Sequence, residues 1–353
     1  MILVGLLVTD LPSMRCTSWF SEVIPILFNI SAYIREIVMQ TAQNIVRKDR
    51  GSQQFSDILA TGSPRTLSDI ECVKNPGHTH FIPATSLTAY HLPQHFQDER
   101  WVAMIRARLA DTVKLMVRYT SPHRQNQRGY EEYIGTIRPR WGSGTAFWPE
   151  TCTNQIECPL PGCNTNGERH FVYGPFQVVT VAHLVFDENE ANATRVEFFD
   201  DDPHCPEFVR QAEVIGIKQG PPGSNISILK CITHDSKIPE ELKKANRHRT
   251  ELLKGLCEPE GASMVVMISH PHGTSKCISF GNLIQLFEKG PVKTTRDGKM
   301  RLRECTLNYS TPSCVGSGGG SVTLWQSGRR AFAPHSKALG LDSNMSAFGW
   351  VSK

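Results

Sequence analysis

From Thr112 onward the chain is a succession of short apolar runs broken by turn residues: TVKLMVRYT, YIGTI, GSGTAFW, FQVVTVAH, TRVEFFDDD and AEVIGI, then NISILKC, SMVVMIS, SKCISFGNLIQLF, RECTLNYS, GGSVTLW and AFAPHSKALG. Runs this short, rich in β-branched and aromatic residues, are strands. About a dozen of them over roughly two hundred residues predict an all-β sandwich or barrel rather than an alternating βαβ array. Two segments break the pattern. In HLPQHFQDERWVAMIRARLAD, Phe96, Trp101, Ile105 and Leu109 fall on one side of a helix over about 94–109 with Pro93 near its start, and this helix is expected to pack against the strands. IPEELKKANRHRTELLKGL is also helical, and its mixed charges read as a solvated surface insertion.

Residues 1–90 mix apolar and polar segments without a repeat, and RKDRGSQQFSDILATGSPRTLSD reads as a flexible connector. The expected organisation is an N-terminal extension of unknown role over 1–90, partly helical and partly flexible, followed by one domain over 91–353 with its barrels from about 110. At 353 residues with 39% apolar residues, the chain has ample material for a core. The net charge of +4 is small, and basic and acidic residues are interleaved, which gives no support to nucleic-acid binding. The opening MILVGLLV has the apolar character of a signal-peptide core but lacks a basic start and runs into Asp10, while WFSEVIPILFNISAYI is interrupted by Glu22 and Pro25. No membrane span is expected, and the compartment stays open between secreted and cytoplasmic. Sequons at Asn29, Asn192, Asn225, Asn308 and Asn344 do not settle it, because the three-residue pattern recurs by chance. Nor do the eleven cysteines, an odd number in a chain too long for a small disulfide scaffold.

Three segments carry chemistry. Gly142-Ser143-Gly144-Thr145-Ala146-Phe147 precedes Thr180-Val181-Ala182-His183 at the end of the run FQVV. A histidine leaving a buried strand is placed to act as a general base, or to be a satisfied structural residue. Further on stands Cys314-Val315-Gly316-Ser317-Gly318-Gly319-Gly320-Ser321-Val322. Taken together, in this order and separation, these segments resemble the chymotrypsin-like serine peptidases, with their GxGT strand, TAAH histidine motif and CxGDSGGPV nucleophile loop. The resemblance covers roughly residues 110–353 and implies two six-stranded antiparallel barrels with a cleft between them. His183 then takes the place of the catalytic base. In Gly223-Ser224-Asn225-Ile226-Ser227-Ile228-Leu229, Asn225 takes the place of the aspartate, unless it belongs to a sequon or a turn.

Matching Cys314, Gly316, Gly319 and Val322 to the motif puts Gly318 where the nucleophilic serine stands, and a glycine cannot attack a carbonyl. A one-residue slip would make Ser317 the nucleophile, but it would also put Val315 where the oxyanion turn needs Gly316. The resemblance thus implies an oxyanion hole from Gly316 and Gly318 without a nucleophile. Asn225 in place of aspartate favours the wrong imidazole tautomer, a change the serine-protease template shows to cost about 10⁴ in kcat. Six residues before Gly318, at the floor of the specificity pocket, stands Pro312, so no acid selects Lys or Arg. Ala333-Pro334-His335-Ser336 resembles the pocket wall, where viral and glutamate-selective relatives carry a histidine, so His335 is a candidate contact for a Gln or Glu side chain. The expected function is a peptidase homologue without activity that binds a peptide or protein in its cleft. The alternatives are an active endopeptidase using Ser317, His183 and Asn225, and a structural scaffold.

Cys152, Cys158, Cys163 and His170, with His204 and Cys205 downstream, supply enough soft ligands for zinc. Their spacing lacks a tight C-x₂-C knuckle, so a disulfide or free thiols serve equally, and the expectation is no metal and no cofactor. Ser269-His270-Pro271-His272-Gly273 reads as a loop whose two histidines cannot both face one metal. Cys314 precedes the turn that exposes a nucleophile and is a poor substitute for one.

Overall fold

The computed structural model describes residues 66–124, 130–149, 155–160, 163, 169–294 and 301–352. MILVGLLV, WFSEVIPILFNISAYI with Asn29, Cys152 and most of the connector lie outside them.

Strands β2 (Thr112–Val117), β3 (Arg140–Phe147), β5 (Phe171–Thr180), β8 (Ser227–Thr233), β7 (Arg210–Gln219) and β6 (Thr194–Phe198) pair in that cyclic order, β6 returning to β2, and close a six-stranded antiparallel barrel. A short β4 (Gln155–Glu157) adds to β5. Alternation along β5 buries Val172, Phe176 and Val178, and the last two meet Val113, Leu115, Val196, Phe198 and Leu229. Gly142, the first glycine of the GxGT motif, lets Leu184 pack on β3: a Cβ there would lie 2.2 Å from Leu184 Cδ2.

The second sheet has nine strands: β1 (Ile82–Pro83), β10 (Cys277–Gly281), β9 (Ser263–Ser269), β13 (Ser321–Gln326), β14 (Arg329–Ala338), β15 (Asn344–Ser346), β12 (Arg301–Tyr309), β11 (Leu283–Thr294) and β16 (Gly349–Ser352). β15 and β16 both lie between β12 and β14, so the closed path here is a ring of four strands. The expected pair of six-stranded barrels is therefore met in the first sheet, whereas the second is larger and closes differently.

SMVVMIS is a nearly continuous apolar run because β9 is covered on both faces. Val265 and Met267 join Leu307, Tyr309, Val322 and Leu324 inside, and Met264, Val266 and Ile268 face helix α1 (Glu99–Leu109). Trp101 of α1 meets Trp325 edge to face with ring centroids 5.1 Å apart. Asp98 caps α1 by accepting from the Arg100 amide at 2.8 Å.

Two sequence expectations change. The segment before residue 90 contributes β1, paired with β10, and a fully buried Leu87, so the second sheet's core includes what read as an extension. YIGTI is a turn, not a strand: the Tyr133 amide donates to the Tyr130 carbonyl at 2.9 Å and Gly135 takes φ 73°. The charged helix, α3 (Lys237–Gly255), is solvated on one side only. Ile238 and Leu242 are buried, and Arg249 pairs with Asp111 at 2.7 Å while donating to the Ala107 carbonyl at 2.5 Å. Among the described residues no helix is long and apolar enough to cross a membrane.

Candidate functional site

His183 sits on the turn that ends β5, where the Leu184 and Val185 amides both donate to the Val181 carbonyl, at 3.0 and 3.2 Å. The turn is gripped from behind. Tyr130 donates its hydroxyl to the His183 carbonyl at 2.8 Å, and Arg124 and Arg140 both donate to the Leu184 carbonyl. Their guanidiniums share Glu190, on the short helix α2 (Glu188–Asn192): Arg124 Nε and Nη2 reach its carboxylate at 2.5 and 2.7 Å and Arg140 Nη2 at 2.5 Å. All three side chains are buried, and the Ser121 and Phe186 amides complete the carboxylate's acceptor sites. A buried network this fully paired fixes the position of His183.

Asn225 precedes β8 and reaches His183 from the left-handed region, φ 52°. Its Nδ2 lies 3.0 Å from His183 Nδ1 and donates to Ser336 Oγ at 2.9 Å, while its Oδ1 accepts from the His183 amide at 3.3 Å. Asn225 Oδ1 lies 3.4 Å from the same Nδ1, so both ends of the amide reach the imidazole.

The loop 311–320 lies against β14, the strand whose Ser336 accepts from Asn225. Its backbone turns through Gly316 and Gly319, with φ 86° and 82°; Gly318 between them needs no left-handed backbone. Ser143 of β3 holds the loop from the first sheet, its amide donating to the Gly318 carbonyl at 2.8 Å and its hydroxyl to the Gly316 carbonyl at 2.9 Å. The Gly319 amide donates to the His335 carbonyl at 2.8 Å. Ser317 is fully buried, and its hydroxyl oxygen accepts from the Cys314 amide at 3.2 Å and from Ser269 at 3.1 Å. The Ser317 hydroxyl is thus engaged inside the loop.

The half-buried Pro312 accepts from Ser279 through its carbonyl at 2.9 Å. Neighbouring Ser313 and Asn344 hold Lys74, whose Nζ donates to their side-chain oxygens at 2.8 and 2.9 Å; burial brings this amine down to about 8. His335 is buried on β14 with Nδ1 2.5 Å from the Tyr309 hydroxyl, and burial pushes the Tyr309 phenol well above its ordinary value. Lys74 had no signal in the sequence, because nothing local marks a lysine far from the loop it enters.

The cysteine and histidine sets regroup. Cys158, Cys163 and His170 converge with His234, which the sequence reading did not include, while His204 and Cys205 stand apart from that group. A second group unites Cys72, His78, His272 and Cys314. Of the two histidines flanking Pro271, only His272 joins it; His270 is fully buried and held below its ordinary value, at about 3, first by burial and then by Lys276. Burial pushes the Cys314 thiol up, which suits it to no nucleophilic role.

No protein-family model and no curated protein matches the chain. Among solved structures it is similar to the Rv3671c protease of M. tuberculosis. The active form aligns with 13% identity and a TM-score of 0.36 over 69% of this chain and 78% of that one. The inactive form aligns with 12% identity and a TM-score of 0.35 over 69% of this chain and 86% of that one. Likeness at this level carries no argument about the chemistry of this chain, which rests on its own residues.

Proposed function

We propose that the chain is a serine-peptidase homologue of the chymotrypsin type that binds a peptide or protein segment in its cleft without cleaving it. The observation that carries this is the state of the loop 311–320. By the match of Cys314, Gly316, Gly319 and Val322 to the nucleophile motif, Gly318 takes the nucleophile's place, and the neighbouring Ser317 hydroxyl is buried between Ser269 and the Cys314 amide. Asn225 in place of an aspartate leaves His183 a weakened base. What remains is recognition chemistry. Gly316 and Gly318 are the backbone donors proposed to hold a carbonyl, Pro312 and His335 line the specificity pocket, and His335, oriented by Tyr309, is the contact for a glutamine or glutamate side chain.

The test uses the full chain and a set of fluorescent peptides that differ in one residue. Retention of glutamine- or glutamate-containing peptides, measured by polarisation, with intact peptide recovered by mass spectrometry is the expected result. Cleaved peptide whose production is lost in Ser317→Ala would replace this reading with an active endopeptidase using Ser317, and absence of any peptide binding would favour a scaffold.

A further inference from the structure

We infer that Cys72, His78, His272 and Cys314 form a tetrahedral zinc site that clamps the segment before β1 onto the loop 311–320. The four ligand atoms lie within 4.8 Å of one another. Cys72 Sγ and Cys314 Sγ are 3.6 Å apart, and His78 Nε2 and His272 Nε2 are 3.0 Å apart. Zinc bound at about 2.3 Å from sulfur and about 2.0 Å from nitrogen sets tetrahedral edges of about 3.8 Å for S···S and about 3.3 Å for N···N. The observed spacings fall within a few tenths of an ångström of both. A disulfide would need the sulfurs at about 2.05 Å.

Two donors point at the sulfurs. The Asn75 amide donates to Cys72 Sγ at 3.4 Å, and Asn75 Nδ2 donates to Cys314 Sγ at 3.1 Å, the outer-shell support that ligating sulfurs attract. Two thiolates and two neutral imidazoles exactly offset a divalent charge, so the filled site brings no net charge into a partly buried place. Both histidines hold left-handed backbones, φ 52° for His78 and 54° for His272, a conformation non-glycine residues keep only where something over-determines it.

The location gives the ion a consequence. The His272 amide donates to the Val315 carbonyl at 2.5 Å, and Cys314 opens the turn that carries Gly316 and Gly318. A Cβ on Gly316 would sit 2.5 Å from the His270 carbonyl, so the 270–273 turn and the loop are in direct contact. Zinc here joins three stretches of chain far apart in sequence and sets the shape of the proposed oxyanion donors without touching a ligand in the cleft.

A second site stands on its own distances. His234 Nε2 lies 3.6 Å from Cys158 Sγ, 3.4 Å from Cys163 Sγ and 3.2 Å from His170 Nε2, against tetrahedral edges of about 3.5 Å for S···N and about 3.3 Å for N···N. We infer that it holds a second zinc, tying the β4–β5 hairpin to the end of β8.

The test is metal content by inductively coupled plasma mass spectrometry on the full chain purified without chelator, paired with cobalt substitution. Two equivalents of zinc per chain, and tetrahedral cobalt–thiolate absorption, are expected. His78→Ala and Cys72→Ser should each lose one equivalent and Cys158→Ser the other, circular dichroism reporting whether each variant is folded. Should a variant fail to fold, the wild type stripped with a chelator and titrated with zinc supplies the same count. A folded wild-type chain that takes up no zinc or cobalt overturns both sites. A Cys72–Cys314 disulfide found by non-reducing peptide mapping, with a single equivalent bound, overturns the first alone.

Discussion

Replacing Glu190 with glutamine removes the carboxylate that two buried guanidiniums share, since Arg124 and Arg140 both bond to it at 2.5 Å with side-chain exposures of 0% and 1%. The glutamine keeps one acceptor oxygen, but its amide turns a donor toward a cation. Breaking a buried ion pair from one side costs about 3–5 kcal/mol, most of it from the charge left uncompensated. For a folded unit of this size each kcal/mol moves Tm by about 2–4 °C, so Glu190→Gln should lower Tm by on the order of 10 °C. Urea denaturation followed by tryptophan fluorescence reads the same loss as a fall in midpoint at unchanged m. Lys244→Gln is the control, because its partner Glu241 is 3.6 Å away and both are largely exposed, and stability should not move. A Glu190→Gln loss under about 1 kcal/mol would refute the claim that this network holds the His183 turn, because the cations would then be finding compensation elsewhere.

Three further outcomes follow from geometry. Gly319→Ala should prevent the loop from forming, since its Cβ would lie 2.0 Å from the Ser143 carbonyl, whereas Gly223→Ala, equally left-handed but with open space around it, should cost only about 1–2 kcal/mol; the two denaturation midpoints compare them directly. Tyr309→Phe should lose about 1–2 kcal/mol of stability by leaving His335 Nδ1 without its buried partner, and should weaken retention of glutamine peptides in the polarisation assay. Arg249→Met should destabilise by about 3–5 kcal/mol in thermal unfolding, with Asp111 left unpaired between α1 and α3, and an additional Asp111→Ala should recover part of that loss.

What the sequence made legible was whatever repeats locally. Helix α1 followed from the spacing of Phe96, Trp101, Ile105 and Leu109, though it starts at Glu99 rather than about 94, with Gln94–Phe96 a separate 3-10 turn, and most strands followed from their alternation. His183, Asn225 and the loop 311–320 were found by motif order; the fold puts Asn225 against His183 and both Asn225 and the loop against β14. Features built from long-range pairing were not legible. β15 and β16 are too short to show a period, and their identity as strands comes from β12 and β14 on either side. β1, two residues long, is a strand only because β10 pairs with it. The metal-ligand groupings illustrate the same limit: Cys72 and Cys314 are 242 residues apart, and His234 joins Cys158 and Cys163 from the far end of β8. No spacing rule reaches that far along a chain.

The central claim is that the cleft has lost its nucleophile, and intact-mass analysis after treatment with a serine-directed fluorophosphonate tests it most directly. The wild-type chain should gain no phosphonyl mass, as its single hydroxyl in the loop's turn, that of Ser317, is buried and engaged. An adduct mapped to Ser317, and abolished by Ser317→Ala, would contradict the account.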